Sequence, residues 1–309
     1  MKGDKEYRII EPVVNLRRTP ETGKISYYHD EQLVTQLLFN ERVSVKGHQG
    51  KWALVEALEQ KTFRSHGFWE GYPGWVEKEC LEPARQETLA DIRVVKSAIV
   101  PVLLTPDEGS AALFTLSLGT RVNLDHTYEP RGYFSPIQAG KARCGWIDSR
   151  HLRSAAPAHD EERQREEVVA AARLFLGTPY LWGGRSMQMP GLASIATGVD
   201  CSGLVNLVFR ISGIDLPRDA HEQWMKASRL TADSIMTGDL IFIAPSPEEV
   251  NHVMLYMGGE HFIEAVESGT AVGMNTFENR FGVRRAAFPD SGRVRGQSAV
   301  FFGRAPLWP

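Results

Sequence analysis

The sequence predicts an α+β domain preceded by two small all-β barrels, and three observations carry that reading. Short strand-type runs broken by turn residues fill the first half of the chain. A Gly-Trp phrase occurs twice at domain spacing. The second half opens with helical periodicity and continues into strands. A length of 309 residues suits two or three domains of ordinary size.

From Tyr7 to His151 the apolar runs are short, as in Arg42-Val43-Ser44-Val45, Trp52-Ala53-Leu54-Val55 and Arg121-Val122-Asn123-Leu124, with Gly, Pro and Asn between them. Close-spaced strands punctuated in this way predict small β barrels. Gly74-Trp75-Val76-Glu77 is followed by Cys80-Leu81, and Gly145-Trp146-Ile147-Asp148 by His151-Leu152. Each phrase closes a segment of roughly 70 residues, the size of one such barrel. The predicted domains are therefore 1–84, 85–154 and 160–309. One larger β domain with a coincidental Gly-Trp pair is the alternative.

Ser154 to Asp160 reads as a linker of Pro and small residues. Glu161 to Leu176 then reads as a helix, because Val168, Ala172 and Phe175, with Val169 and Leu176 alongside, form an apolar stripe. The charged run Asp160-Glu161-Glu162-Arg163 is a solvated first turn whose acids suit the helix dipole. Gly177-Thr178-Pro179 stops the helix. A second helix is predicted from Ser202 to Ser212, then strands at Leu240 to Ala244, His252 to Met257 and His261 to Val266.

Composition narrows the function. Hydrophobic residues make up 42% and charged residues 24%, with a formal net charge of -3. Such a chain has material for real cores, and the balance gives no reason to expect nucleic acid or an anionic membrane as partner. No apolar run of membrane-spanning length occurs, and Met1 to Tyr7 lack the apolar core of a signal peptide. The expectation is a cytoplasmic protein, or a periplasmic or extracellular one if a leader has been removed. Cys80, Cys144 and Cys201 are too few and too scattered for a disulfide framework or a zinc site. No metal or other cofactor is expected.

Cys201 stands where a Gly-rich loop meets the second helix. The positive end of a helix dipole favours a thiolate there, and free backbone N–H groups can hold an oxyanion. A nucleophile fits the position, and so does a buried structural cysteine. His252 begins an apolar strand, a rigid place from which a general base could reach a thiol. On the next strand the period of two sets His261 and Ile263 on one face and Phe262 and Glu264 on the other. Glu264, flanked by apolar residues, needs something positive opposite it and could hold an imidazolium.

Five phrases in order, Thr178-Pro179-Tyr180-Leu181-Trp182-Gly183-Gly184, Asp200-Cys201-Ser202-Gly203, Leu216-Pro217-Arg218-Asp219, Gly238-Asp239-Leu240 and Asn251-His252-Val253, resemble the NlpC/p60 family of cysteine peptidases. Val14-Asn15-Leu16-Arg17, Leu37-Leu38-Phe39-Asn40-Glu41 and Gly71-Tyr72-Pro73-Gly74-Trp75 resemble bacterial SH3 domains. The whole looks like the YkfC-like γ-D-glutamyl-L-diamino acid endopeptidases of peptidoglycan recycling. That resemblance implies a papain-like catalytic domain and cleavage of stem peptides such as L-Ala-γ-D-Glu-diamino acid, the diamino acid being meso-diaminopimelate or Lys. It makes Cys201 the nucleophile, His252 the base and Glu264 its orienting group. It sets Tyr180, Trp182, Asp200 and Ser202 along the substrate groove. It assigns Asp219, Tyr72 and Glu41 to the free amine of the substrate's L-Ala.

Two departures from the family stand out. A carboxylate, Glu264, occupies the place commonly held by a histidine. The loop from Arg185 to Val199 is long, and is expected to reshape the groove or act as a flap. Competing readings are a septal or wall-remodelling endopeptidase acting on intact peptidoglycan, a non-catalytic wall-peptide binder, and an acyltransferase sharing the dyad.

Overall fold

A computed structural model describes residues 5–22, 29–64, 66–84, 91–141, 143–157, 160–189, 195–245, 249–288 and 299–306. The first four residues, part of the linker (158–159) and the middle of the long loop (190–194) therefore lie outside the described residues.

The sheets divide along the chain. The first is seven-stranded, in the order Leu33–Leu38, Val13–Arg17, Trp69–Glu77, Trp52–Phe63, Arg42–Gln49, Glu6–Ile9, Leu81–Pro83. Next come a four-stranded sheet (Ala112–Ser117, Ile99–Leu103, Cys144–Asp148, Phe134–Gln138) and a three-stranded one (Arg121–Asn123, Ile92–Val95, Leu152–Ser154). All have free edges, so the expected closed barrels do not appear: among the described residues no ring of strands closes. The two β units instead pack separate cores around Leu16, Val43 and Val76 and around Val100, Leu116 and Ile147.

The repeated Gly-Trp phrase has a structural counterpart. Each copy lies in a strand that runs into a 3-10 turn, Lys78–Cys80 or Ser149–His151. A short strand follows and pairs with the first strand of its own unit. Val76 and Ile147 are wholly buried. A Cβ at Gly74 would strike Leu16, and one at Gly145 would strike Val102, so close packing dictates glycine at both places.

Helix α1 (Glu161–Leu174) is capped by the Asp160 side chain, and α2 (Cys201–Ile211) by Asp200. Both pack on a six-stranded antiparallel sheet ordered Ser228–Leu230, Ala299–Arg304, Leu240–Ala244, His252–Gly258, His261–Glu264, Gly273–Thr276. Alternation buries both faces of that sheet. Leu240, Phe242, Val253, Leu255 and Ile263 meet the helices, whereas Ile241, Met254, Phe262 and Phe302 meet Phe277 and Phe281. A short helix, α3 (Ala220–Lys226), faces the first β unit, and α4 (Phe277–Phe281) follows the edge strand Gly273–Thr276. No described helix is long and apolar enough to cross a membrane.

Candidate active site

The site is built where α2 begins. Asp200 turns the chain into the helix: its Oδ1 accepts from the Gly203 amide at 2.6 Å and from Ser202 Oγ at 3.2 Å. Its Oδ2 accepts from the Gly183 amide at 3.0 Å. Arg218, wholly buried, grips both oxygens at 3.0 and 2.7 Å and donates to Ser202 Oγ at 2.9 Å. A Cβ at Gly203 would run into the Gly184 carbonyl, so the glycine loop lies directly against the first turn. Cys201, the first residue of α2, is thereby fixed at 9% exposure, with the free N–H groups of a helix start around it.

His252, first residue of its strand, meets α2 at the end of the sheet. Its Nε2 donates to Glu264 Oε2 at 3.0 Å, which leaves Nδ1 for Cys201. Burial, the largest influence, pulls the His252 pKa down. The hydrogen-bonded Cys201 sulfur and the Glu264 carboxylate outweigh it and push it up to about 9. Glu264 is 2% exposed. Its own burial favours the neutral acid, but hydrogen bonds from His252 and from Asn275 (3.0 Å), with Arg280 nearby, hold it below the usual carboxylate range. The other two cysteines differ. Burial pushes the Cys80 thiol up to about 12 and also raises Cys144.

In front of Cys201 and His252 lies a cleft of about 930 Å³. Tyr180 and Trp182 form one side. Tyr180 is buried, which raises its hydroxyl pKa, while Trp182 is half exposed with its ring 5.9 Å from that of His29. The first β unit closes one end with Arg18, His29, Leu33, Val34 and Tyr72. There the Tyr72 hydroxyl donates to Asp219 Oδ2 at 2.9 Å. Burial raises the pKa of both groups, and for Asp219 the neighbouring Arg218 and the Tyr72 bond partly offset it.

The structure thus gathers Cys201, His252, Tyr180, Trp182, Ser202, Asp219 and Tyr72 at one cleft, with Glu264 buried behind His252. Asp200 borders it too, but its oxygens are spent on the helix cap and Arg218, so it positions rather than contacts. Glu41 needs correction as a substrate ligand. It is 1% exposed and pairs with Arg185 at 2.5 Å and Arg210 at 3.6 Å, away from the cleft. The long loop also departs from the flap expectation in its described parts. Arg185 and Ser186 bond Gln36, and Met187 bonds Ser117, so the loop staples the catalytic sheet to both β units. Sequence reasoning missed Arg218, although it sits inside the quoted Leu-Pro-Arg-Asp phrase. Asn275 and Arg280 carried no signal at all. Among the described residues no group of three or more His, Cys, Asp or Glu is placed to hold a metal ion.

Residues 177–286 match the NlpC/P60 family. A γ-D-glutamyl-L-lysine dipeptidyl-peptidase of Bacillus subtilis is 29% identical over 273 residues, covering 85% of this chain and 84% of that protein. The peptidoglycan endopeptidase RipB of Mycobacterium tuberculosis is 37% identical over 122 residues, covering 38% of this chain and 49% of that one. The crystal structure of an NlpC/P60 family protein from Bacillus cereus superimposes with a TM-score of 0.70 at 23% identity, covering 88% of this chain and 94% of that one. The fold, β units included, is shared with that structure.

Proposed function

Because residues 177–286 are an NlpC/P60 domain, we propose that the protein is a cysteine peptidase that releases the diamino acid from peptidoglycan stem peptides with a free N-terminus, L-Ala-γ-D-Glu-diamino acid. The chain is a cysteine hydrolase of peptidoglycan peptides. The choice of bond, the free amine and a recycling role in the cytoplasm are the finer parts of the reading. The two β units are read as bacterial SH3-type modules, on the strength of their shared strand, turn and strand ending.

One observation carries the reading: the Cys201–His252–Glu264 row opens on a cleft that Tyr72 and Asp219 close at one end. Cys201, its proton passed to His252 Nδ1, attacks the γ-glutamyl carbonyl. N–H groups at the start of α2 hold the oxyanion. His252 then protonates the leaving amine, and a water activated by the same ring hydrolyses the thioester. Glu264 keeps the ring oriented through Nε2 and stabilises its charge. At the closed end, Tyr72 occupies Asp219 Oδ2, and Oδ1 remains to receive an ammonium. An acylated N-terminus offers no charge there and needs room that the first β unit fills. The residues of the first β unit that line the cleft support the exclusion of longer chains. The Bacillus subtilis relative carries a name that fits the same bond.

The test is hydrolysis of L-Ala-γ-D-Glu-L-Lys beside its N-acetylated copy, with Cys201→Ala as control, followed by mass spectrometry. Lysine released from the open peptide alone, and not by the variant, supports the reading. Equal cleavage of both peptides refutes the closed end, and cleavage of neither refutes the function.

A further inference from the structure

The cleft has two halves divided by Cys201, and only one has been given a task. The half built by Tyr72 and Asp219 takes the acyl part of the substrate. The other is built by the start of the His252 strand, by Val266, Glu267 and Ser268 beyond Glu264, and by Arg280 of α4. This is the leaving-group half, because His252 must deliver its proton to the departing amine.

Arg280 is the cation of that half. Its Nε lies 3.6 Å from Glu264 Oε2, is buried and has no hydrogen-bond partner. The side chain as a whole is 35% exposed and borders the cleft. A guanidinium anchored at its inner edge and open at its outer edge presents a planar fork, the geometry that takes a carboxylate through two parallel N–H bonds. Every diamino acid released from the end of a stem peptide carries a free carboxylate next to the amine being freed. We propose that Arg280 binds this carboxylate and makes the enzyme select stem peptides that end at the diamino acid. The inference rests on the proposed bond specificity and adds its leaving-group side. Glu264 is not idled by the contact, since its oxygens are engaged by His252 and Asn275.

The test compares L-Ala-γ-D-Glu-L-Lys with the same peptide ending in lysinamide, using the wild type, Arg280→Gln and Arg280→Lys. A charge-assisted pair of this kind is worth roughly 10- to 100-fold, so the wild type should lose that much kcat/KM on going from acid to amide. Arg280→Gln should abolish the preference for acid over amide, whatever both peptides lose through Glu264, and Arg280→Lys should restore part of that preference. Arg280→Gln slowing both peptides equally, with the preference for the acid kept, would overturn the proposal in favour of a support for Glu264. A wild type indifferent to the amide would also overturn it. A copy with D-isoglutamine in place of D-glutamate separates the other carboxylate: if the Arg280 effect vanishes there, the assignment to the leaving group is wrong. Failure of the wild type to cut any of these peptides removes the functional reading itself, and the inference with it.

Discussion

Glu264 and Glu41 are buried almost alike, at 2% and 1% exposure, and each faces a cation, yet only one of them touches the chemistry. Glu264 faces a histidine, which gains and loses its proton and opens on the cleft. Glu41 faces Arg185 and Arg210, which keep their protons at any working pH. Around it Gln60 donates to Oε2 at 3.0 Å, and Arg210 goes on to Glu59 and Asp215. That cluster joins the first β unit to α2 and the long loop, and Arg121 adds the second β unit. A buried acid is therefore catalytic or structural according to whether its partner can be switched. The two clusters should fail in different ways when cut.

Cys201→Ala sets the scale on the catalytic side. Steady-state assay should show kcat reduced by at least about 10³-fold, with only a small change in the urea midpoint. Glu41→Ala should do the reverse. Arg185 is left buried without its acid, while Arg210 keeps Glu59 and Asp215, so unfolding free energy from urea titration should fall by about 3–5 kcal/mol. Activity per folded molecule should stay within a few-fold. If Glu41→Ala instead raised KM for the open peptide without loss of stability, the contrast between the two acids would be broken.

Glu264→Gln sharpens the comparison through pH. Glu264 helps to raise His252 to about 9, so the ring stays cationic beside Cys201 until that pH, and the rate should fall as pH rises through it. Without the carboxylate that basic limb must move to lower pH, with kcat down by roughly 10- to 100-fold. The sign for stability is the same. A His whose folded value exceeds its ordinary 6.5 stabilises fully below 6.5, and the contribution is lost as pH rises through about 9. The smallest effect is expected at the closed end. Tyr72→Phe removes the donor to Asp219, and KM for the open peptide should rise by roughly 3- to 10-fold with kcat kept.

The same contrast explains what could be read from the sequence. Cys201, His252 and Glu264 announce themselves locally: a helix start after Gly-Gly and Asp, a histidine heading an apolar run, an acid amid apolar neighbours. Parity along adjacent strands then places His252 and Glu264 together. The helix spans and strands of the catalytic sheet follow from periodicity in the same way. Glu41 has no such local signal, since Arg185 lies 144 positions away and only packing of the domains brings them together. Arg280 and Asn275 were invisible for the same reason. For the β units, alternation predicts strands and a buried face, but not whether the last strand closes on the first.

The central claim is that Cys201, His252 and Glu264 act as one charge-coupled unit. Its most direct test is titration of the His252 ring by nitrogen-edited NMR, assigned by its loss in His252→Asn, in the wild type and in Cys201→Ala. The account predicts a proton held to about pH 9 in the wild type and released at distinctly lower pH once the sulfur is gone. A ring that titrates near its ordinary 6.5, or one that Cys201→Ala leaves unmoved, would contradict it.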